Sequence, residues 1–309
     1  MQVKILGSAA GGAFPQWNCA CANCRAVRAG TFHGKPRTQT QVALTEDCLK
    51  WFLLGASPDL HAQIEATPDL HPRAGLRQSP IAGVALANAD LDHVLGLLLL
   101  RELQPLRIYA TASVRRILRE DNSMFGMLHR IPDQARWTDF VSGEEFFLRD
   151  AQGEDSGLRC RARSLSTHYP AYVTAERRSQ LSPGEASLGF FIHSNSGARL
   201  AYMPAVPQVD DALLAELDAS DVLLFDGTFW SNDELIGVKG AGKFGQTAQQ
   251  MGHVPVEDML VLLAALRRPR KIFLHINNTN PMLDEASAEY RQVRDASWEI
   301  AEDGWQLDL

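Results

Sequence analysis

What the chain lacks narrows the field first. Its apolar runs are short: Leu95 to Leu100 is far below the roughly 20 residues needed to cross a bilayer. Met1-Gln2-Val3-Lys4-Ile5-Leu6 is likewise too short for a signal peptide and passes straight into Gly7-Ser8-Ala9-Ala10-Gly11-Gly12, so a cytoplasmic protein without a membrane span is expected. Positive charge is scarce. With 30 Lys and Arg against 37 Asp and Glu, the net charge is -7 and the pI about 5.7, which argues against nucleic acid or an anionic membrane as the main partner. The five cysteines are odd in number and unevenly spaced, which is poor evidence for a disulfide framework.

What is present is an ordinary globular composition, 45% hydrophobic and 22% charged, over 309 residues. Residues 2–6 read as a strand, followed by a glycine-rich, cysteine-bearing loop to about Arg37. Residues 39–44 and 50–54 read as adjacent strands, and Ser57-Pro58 opens a short helix. From Ser79 the pattern alternates: strand 81–87, helix 93–102, strand 106–109, helix 111–120. Short strands follow at 137–141, 145–148 and 159–164, then a hairpin of 188–192 and 199–203. Alternation resumes with helix 208–217, strand 222–225, helix 257–266 and strand 271–274. This order predicts an α/β chain of two facing sheets with helices outside, folded as one domain over 1–309, and suits a doubly wound sheet less well.

The chemistry concentrates where buried strands end. Asn88-Ala89-Asp90-Leu91-Asp92-His93 follows the run Ile81 to Ala87; His168 follows the strand at 159–164; Asp226 follows Phe225; His275 follows Leu274. Open α/β sheets place their sites at such carboxyl ends. Asp90 or Asp92 would serve as a helix cap, but capping leaves His93 unexplained. Asp92, His93, Asp226 and His275 offer two carboxylates and two imidazoles, a set suited to iron, manganese or zinc. Two aspartates buried together would raise each other's pKa, and a divalent cation removes that conflict. A second cluster, Cys19-Ala20-Cys21-Ala22-Asn23-Cys24, packs three thiols into one loop. Three cysteines and a histidine would close a structural zinc site, with redox chemistry through Cys21 and Cys24 as the competing reading.

The strand-end residues resemble the metal motif of the metallo-β-lactamase superfamily, whose fold is a four-layer αββα sandwich. Carried over, that resemblance implies a first metal site of Asn88, Asp90 and His168 and a second of Asp92, His93 and His275, with Asp226 bridging them. Asn88 and Asp90 stand where imidazoles are expected, so the first site should be weak or vacant. That favours one metal on Asp92, His93 and His275, the two-histidine, one-carboxylate face of non-haem iron oxygenases, with Asp226 as a fourth ligand or a base. Superfamily relatives with the cysteine cluster imply His253 as the fourth ligand of a zinc loop at about 7–37; His33 is the nearer alternative.

Gly7 to Cys19, Met251-Gly252-His253-Val254-Pro255-Val256 and His275-Ile276-Asn277-Asn278-Thr279-Asn280-Pro281 are similar to the PqqB family of pyrroloquinoline quinone (PQQ) biosynthesis proteins, a likeness running to Asp303-Gly304. It implies hydroxylation of the tyrosine ring of a cross-linked Glu-Tyr intermediate, an oxidoreductase reaction using Fe2+ (Mn2+ or Zn2+ as alternatives) and O2, beside a structural Zn2+. Asp90, His168 or Asp226 would manage protons, and Asn277 and Asn278 would hold substrate carboxylates or orient ligands. The alternatives are a metal-dependent hydrolase and a soluble carrier moving PQQ or its precursor toward the periplasm; a homodimer stays open. The segment Gly237 to Gly245 resembles a phosphate loop in composition but lacks the closing Gly-Lys-Ser/Thr. It is expected to be a flap whose Lys239 or Lys243 attracts an acidic substrate, or an ordinary surface loop.

Overall fold

The structure is a computed structural model that describes residues 1–236 and 245–309; the expected flap lysines Lys239 and Lys243 lie outside the described residues. The chain, read above as one domain, divides into two compact units. One comprises Met1–Leu6, Gln41–Ala198 and Gly304–Leu309, the other Gly7–Thr40 and Arg199–Asp303.

In the first unit, strands β1 (Gln2–Gly7), β2 (Gln41–Thr45), β3 (Trp51–Leu54), β4 (Ile81–Ala85), β5 (Leu106–Ala110), β6 (Ala135–Asp139) and β14 (Trp305–Asp308) form a sheet in the order β14-β1-β2-β3-β4-β5-β6. The β2–β3 pair is antiparallel, while β3, β4, β5 and β6 run parallel. Strands β2 and β3 are buried along their whole length, so they read as continuous apolar runs and not as alternation. A separate antiparallel ladder joins β7 (Glu145–Arg149), β8 (Asp155–Ser166) and β9 (Ser187–Ser194). Phe140 stacks on Phe146 at 4.5 Å between centroids, and Phe190 meets both edge-on.

The helix expected at 93–102 is corrected. Only Leu91–Val94 is α-helical (α3, since α1 is Ala22–Ala29 and α2 Leu60–Glu65), and Leu95–Leu100 continues as 3-10 turns. Gly96 packs directly onto the segment after β3: its N–H donates to Ala56 O at 2.9 Å, and a Cβ there would lie 2.3 Å from Ser57 O. That close approach draws the backbone off the α-helical path. Helix α4 (Ala112–Glu120) begins as expected, with the Thr111 hydroxyl capping Val114 N.

The second unit contains a four-stranded parallel array, β10 (Arg199–Met203), β11 (Val222–Asp226), β12 (Arg270–Leu274) and β13 (Trp298–Ile300). Helices α6 (Asp211–Asp218), α7 (Val256–Leu262) and α8 (Ala288–Asp295) connect successive strands; α5 (Ala175–Arg178) belongs to the first unit. Phe273 stacks on Trp298 at 4.1 Å and Phe225 meets the same ring edge-on. Parallel strands joined by helices bring their carboxyl ends to one edge, which is where Asp226 and His275 fall. Among the described residues, no helix is long and apolar enough to cross a membrane.

Candidate metal centres

In the first unit, β4 delivers the chain to a tight strand-to-helix turn. The buried Asn88 accepts from Asp90 N at 3.1 Å, and Asp90 takes the N-cap position of α3 without making a side-chain cap. His93 N donates to Asp90 O at 2.9 Å, and His93 O accepts from Ala56 N at 2.7 Å. His93 is buried, and its Nε2 lies 3.9 Å from Asp92 Oδ2. Gly55 closes the turn with φ +76; a Cβ there would stand 3.3 Å from His93 Nδ1. Tyr172 donates to Ala89 O at 2.5 Å, tying the loop after β8 to this turn. His168, on that loop, is exposed and its Nδ1 lies 3.2 Å from Ser166 Oγ.

In the second unit, Asp226, His253 and His275 are all buried, with ligand atoms within 4.8 Å of one another. The spacing alone would suit a metal. The hydrogen bonds assign Asp226 otherwise: Oδ1 accepts from Thr228 N at 3.1 Å and Thr228 Oγ1 at 2.6 Å, and Oδ2 accepts from Val206 N at 2.9 Å and pairs with His253 Nδ1 at 2.7 Å. Each oxygen thus has two protein contacts, while Asp226 is also one of three residues whose ligand atoms lie close enough to share a cation. Burial by itself would raise the Asp226 carboxyl, but the His253 and His275 imidazoles and the Thr228 hydroxyl outweigh it and lower the pKa.

His275 stands just beyond β12 at φ 59, a left-handed conformation that a non-glycine residue rarely adopts. It is held there by Thr228 Oγ1, 2.8 Å from Nδ1, and by the flanking backbone: Ile276 N donates to Ser8 O at 3.0 Å and Asn277 N to Thr228 O at 3.0 Å. Its ring lies against that of His253, with centroids 5.7 Å apart. Gly227 is required beside Asp226, since a Cβ would come within 2.9 Å of Phe273 Cβ.

The three thiols of the loop also assemble. Cys19, Cys21 and Cys24 fall within 4.8 Å of one another, Cys21 serving as N-cap of α1. His253, expected as the fourth zinc ligand, is not in that group: its ligand atoms lie with those of Asp226 and His275, and its Nδ1 is 2.7 Å from Asp226 Oδ2. His33, the alternative, is exposed and lies 3.7 Å from Asp284. Asn278 is the side chain that meets all three thiols. Its Nδ2 points into the cluster, 3.1 Å from Cys19 Sγ, 3.3 Å from Cys24 Sγ and 3.6 Å from Cys21 Sγ. Burial pushes the Cys24 thiol up to about 11 in the absence of a cation.

Asn278 Nδ2 thus contacts the thiols, and Asn277 Nδ2 donates to Thr279 Oγ1 at 2.5 Å. Two residues were missed in the sequence. Thr228, two positions after Asp226, joins the aspartate to His275. Glu234 accepts from Trp230 N at 2.5 Å and from the Thr279 hydroxyl, and burial raises its carboxyl to about 7. The Asp-Gly-Thr spacing after β11 was the one available signal for Thr228.

Residues 50–276 match the family described as a beta-lactamase superfamily domain. The chain is 39% identical over its full length, and that of the relative, to coenzyme PQQ synthesis protein B of Methylorubrum extorquens strain AM1, and 40% identical to the same protein of Pseudomonas aeruginosa, also over both full lengths. The 1.98-Å crystal structure of Zn2+-bound PqqB from Methylobacterium extorquens superposes with a TM-score of 0.89 at 39% identity, covering both chains completely. A diphosphatase of the PhnP family shares the fold at 19% identity, with a TM-score of 0.66 over 99% of this chain and 96% of its own.

Proposed function

Because the chain belongs to the PqqB family and has its metallo-β-lactamase fold, we propose that this PQQ biosynthesis protein hydroxylates the tyrosine ring of the cross-linked Glu-Tyr precursor, in the cytoplasm. The reaction would use dioxygen and one iron held by Asp92, His93 and His275. The observation that carries this reading is the pair Asn88 and Asp90, which offer an amide and a carboxylate where a first metal would need imidazoles. A two-metal hydrolase needs imidazoles where Asn88 and Asp90 stand. Their replacement favours a single centre with open positions, and two histidines with one carboxylate suit iron.

When bound, iron would supply the redox chemistry of oxygen insertion. The chain's own part is positioning and proton handling. His253 is fixed through Nδ1 by Asp226, leaving Nε2 to give or take a proton, so Asp226 acts through the histidine and not as a ligand. Asn88, Asp90 and His168 would form at most a weak second metal site. Zinc on Cys19, Cys21 and Cys24 would be closed by Asn278, whose carboxamide presents oxygen after a half-turn of the side chain. Metal analysis of anaerobically purified protein tests the assignment: one zinc retained in Asp92→Ala and one iron lost supports it. Zinc-dependent hydrolysis without oxygen consumption would replace it, and PQQ binding without turnover under any metal would favour a carrier.

A further inference from the structure

We infer that Thr228 is a positioning residue that selects the tautomer of His275, an inference resting on the reading of His275 as a metal ligand. The hydroxyl lies between three acceptor-capable atoms: Asp226 Oδ1 at 2.6 Å, His275 Nδ1 at 2.8 Å and His275 O at 2.9 Å. A threonine has one proton to give and lone pairs to receive. The aspartate settles where that proton goes. Its Oδ1 already accepts from Thr228 N, so it faces the hydroxyl as an acceptor, and its contact is the shortest of the three. With the proton committed to Asp226, the Thr228 oxygen faces His275 Nδ1 as an acceptor. The imidazole must then carry its proton on Nδ1, leaving the Nε2 lone pair for a cation.

The opposite arrangement, Thr228 donating to Nδ1, would put the imidazole proton on Nε2 and close that atom to a metal. The other partner of the hydroxyl, His275 O, is a carbonyl that can only accept, so a proton given to it would also leave the Thr228 oxygen facing Nδ1. Thr228 N is itself bonded to Asp226 Oδ1 at 3.1 Å, and Thr228 O receives Asn277 N at 3.0 Å. Asn280 adds a further brace, its Nδ2 donating to Gly227 O at 3.0 Å. The residue is buried and enclosed by the two segments that end β11 and β12, so its rotamer is fixed by the same bonds. The aspartate thus influences the metal-facing imidazole at one remove, through a hydroxyl, while holding His253 directly.

Two measurements test this. In metal-free protein with labelled histidine, the ring of His275, identified by its loss in His275→Ala, should show the Nδ1-protonated tautomer in long-range 1H–15N spectra. The Nε2-protonated form in the wild type would overturn the inference without any variant. In chelator competition with Zn2+ as probe and the cysteine site already filled, Thr228→Val should weaken the remaining site by about 10- to 100-fold, and Thr228→Ser should restore it. Unchanged zinc affinity in a folded Thr228→Val protein would refute the role of Thr228 alone. Unchanged affinity in His275→Ala would instead overturn the reading of His275 as a ligand.

Discussion

His253 Nδ1 lies 2.7 Å from Asp226 Oδ2, and both side chains are buried. The pair joins an imidazole brought by the segment ahead of α7 to a carboxylate at the end of β11. It places His253 with Asp226 and His275 and apart from the three thiols.

The pair should behave as one unit in catalysis. Asp226→Asn and His253→Ala are each expected to lower turnover by about 10²- to 10⁴-fold, the range of a lost general acid or base. The double variant should be little worse than either single one, because the carboxylate acts through the imidazole. Steady-state rates of the three proteins check this; multiplicative losses would mean that the two residues act separately.

The thiol cluster should bind zinc independently of the catalytic metal. Cys24→Ser is expected to remove one zinc per chain, and Asn278→Ala to weaken retention of that zinc against a chelator while leaving the thiols in place. Metal content measured after dialysis distinguishes the two. Equal zinc retention in Asn278→Ala and wild type would exclude Asn278 from coordination.

Glu234 predicts a pH dependence of stability. Its carboxyl titrates near 7 in the folded chain against 4.5 as the reference. Between those values the native state binds more protons than the unfolded one, so stability falls as pH rises through the window. The loss is on the order of 3 kcal/mol once the pH is above 7. Glu234→Gln should therefore raise the melting temperature at pH 8 and change it little at pH 4. Equal shifts at both would rule out burial of the carboxylate as the cause.

Gly96→Ala should be among the most damaging small substitutions. The added carbon would meet Ser57 O at 2.3 Å and Ala56 O at 2.8 Å, both backbone atoms that cannot rotate away. A loss of about 1–3 kcal/mol or more is expected from overpacking. Because Ala56 N also bonds His93 O, the strain should reach the turn that carries Asp92 and His93. Denaturant unfolding and iron content report the two effects.

Much of this was legible in the residue order. Strand β4, Val222 to Phe225 of β11 and Ile272 to Leu274 of β12 are apolar runs, and Asp226 and His275 stand directly after the last two. The 3-10 stretch at 95–100 was not legible, since a leucine-rich run has good helix propensity and the close approach of Gly96 to Ser57 is a tertiary fact. The partners of Asp226 were hidden for a similar reason: Val206 N comes from 20 residues upstream and His253 from 27 downstream. Asn278 was read as a substrate contact because no spacing rule links it to thiols more than 250 positions earlier.

The central claim is that Asp92, His93 and His275 carry an iron that activates oxygen. The most direct measurement is oxygen uptake by anaerobically purified, iron-reconstituted protein on addition of the cross-linked Glu-Tyr compound. The account predicts oxygen consumption coupled to ring hydroxylation in the wild type and none in Asp92→Ala, which keeps its cysteine-bound zinc. Product formation at an undiminished rate without oxygen, or undiminished uptake in Asp92→Ala, would contradict it.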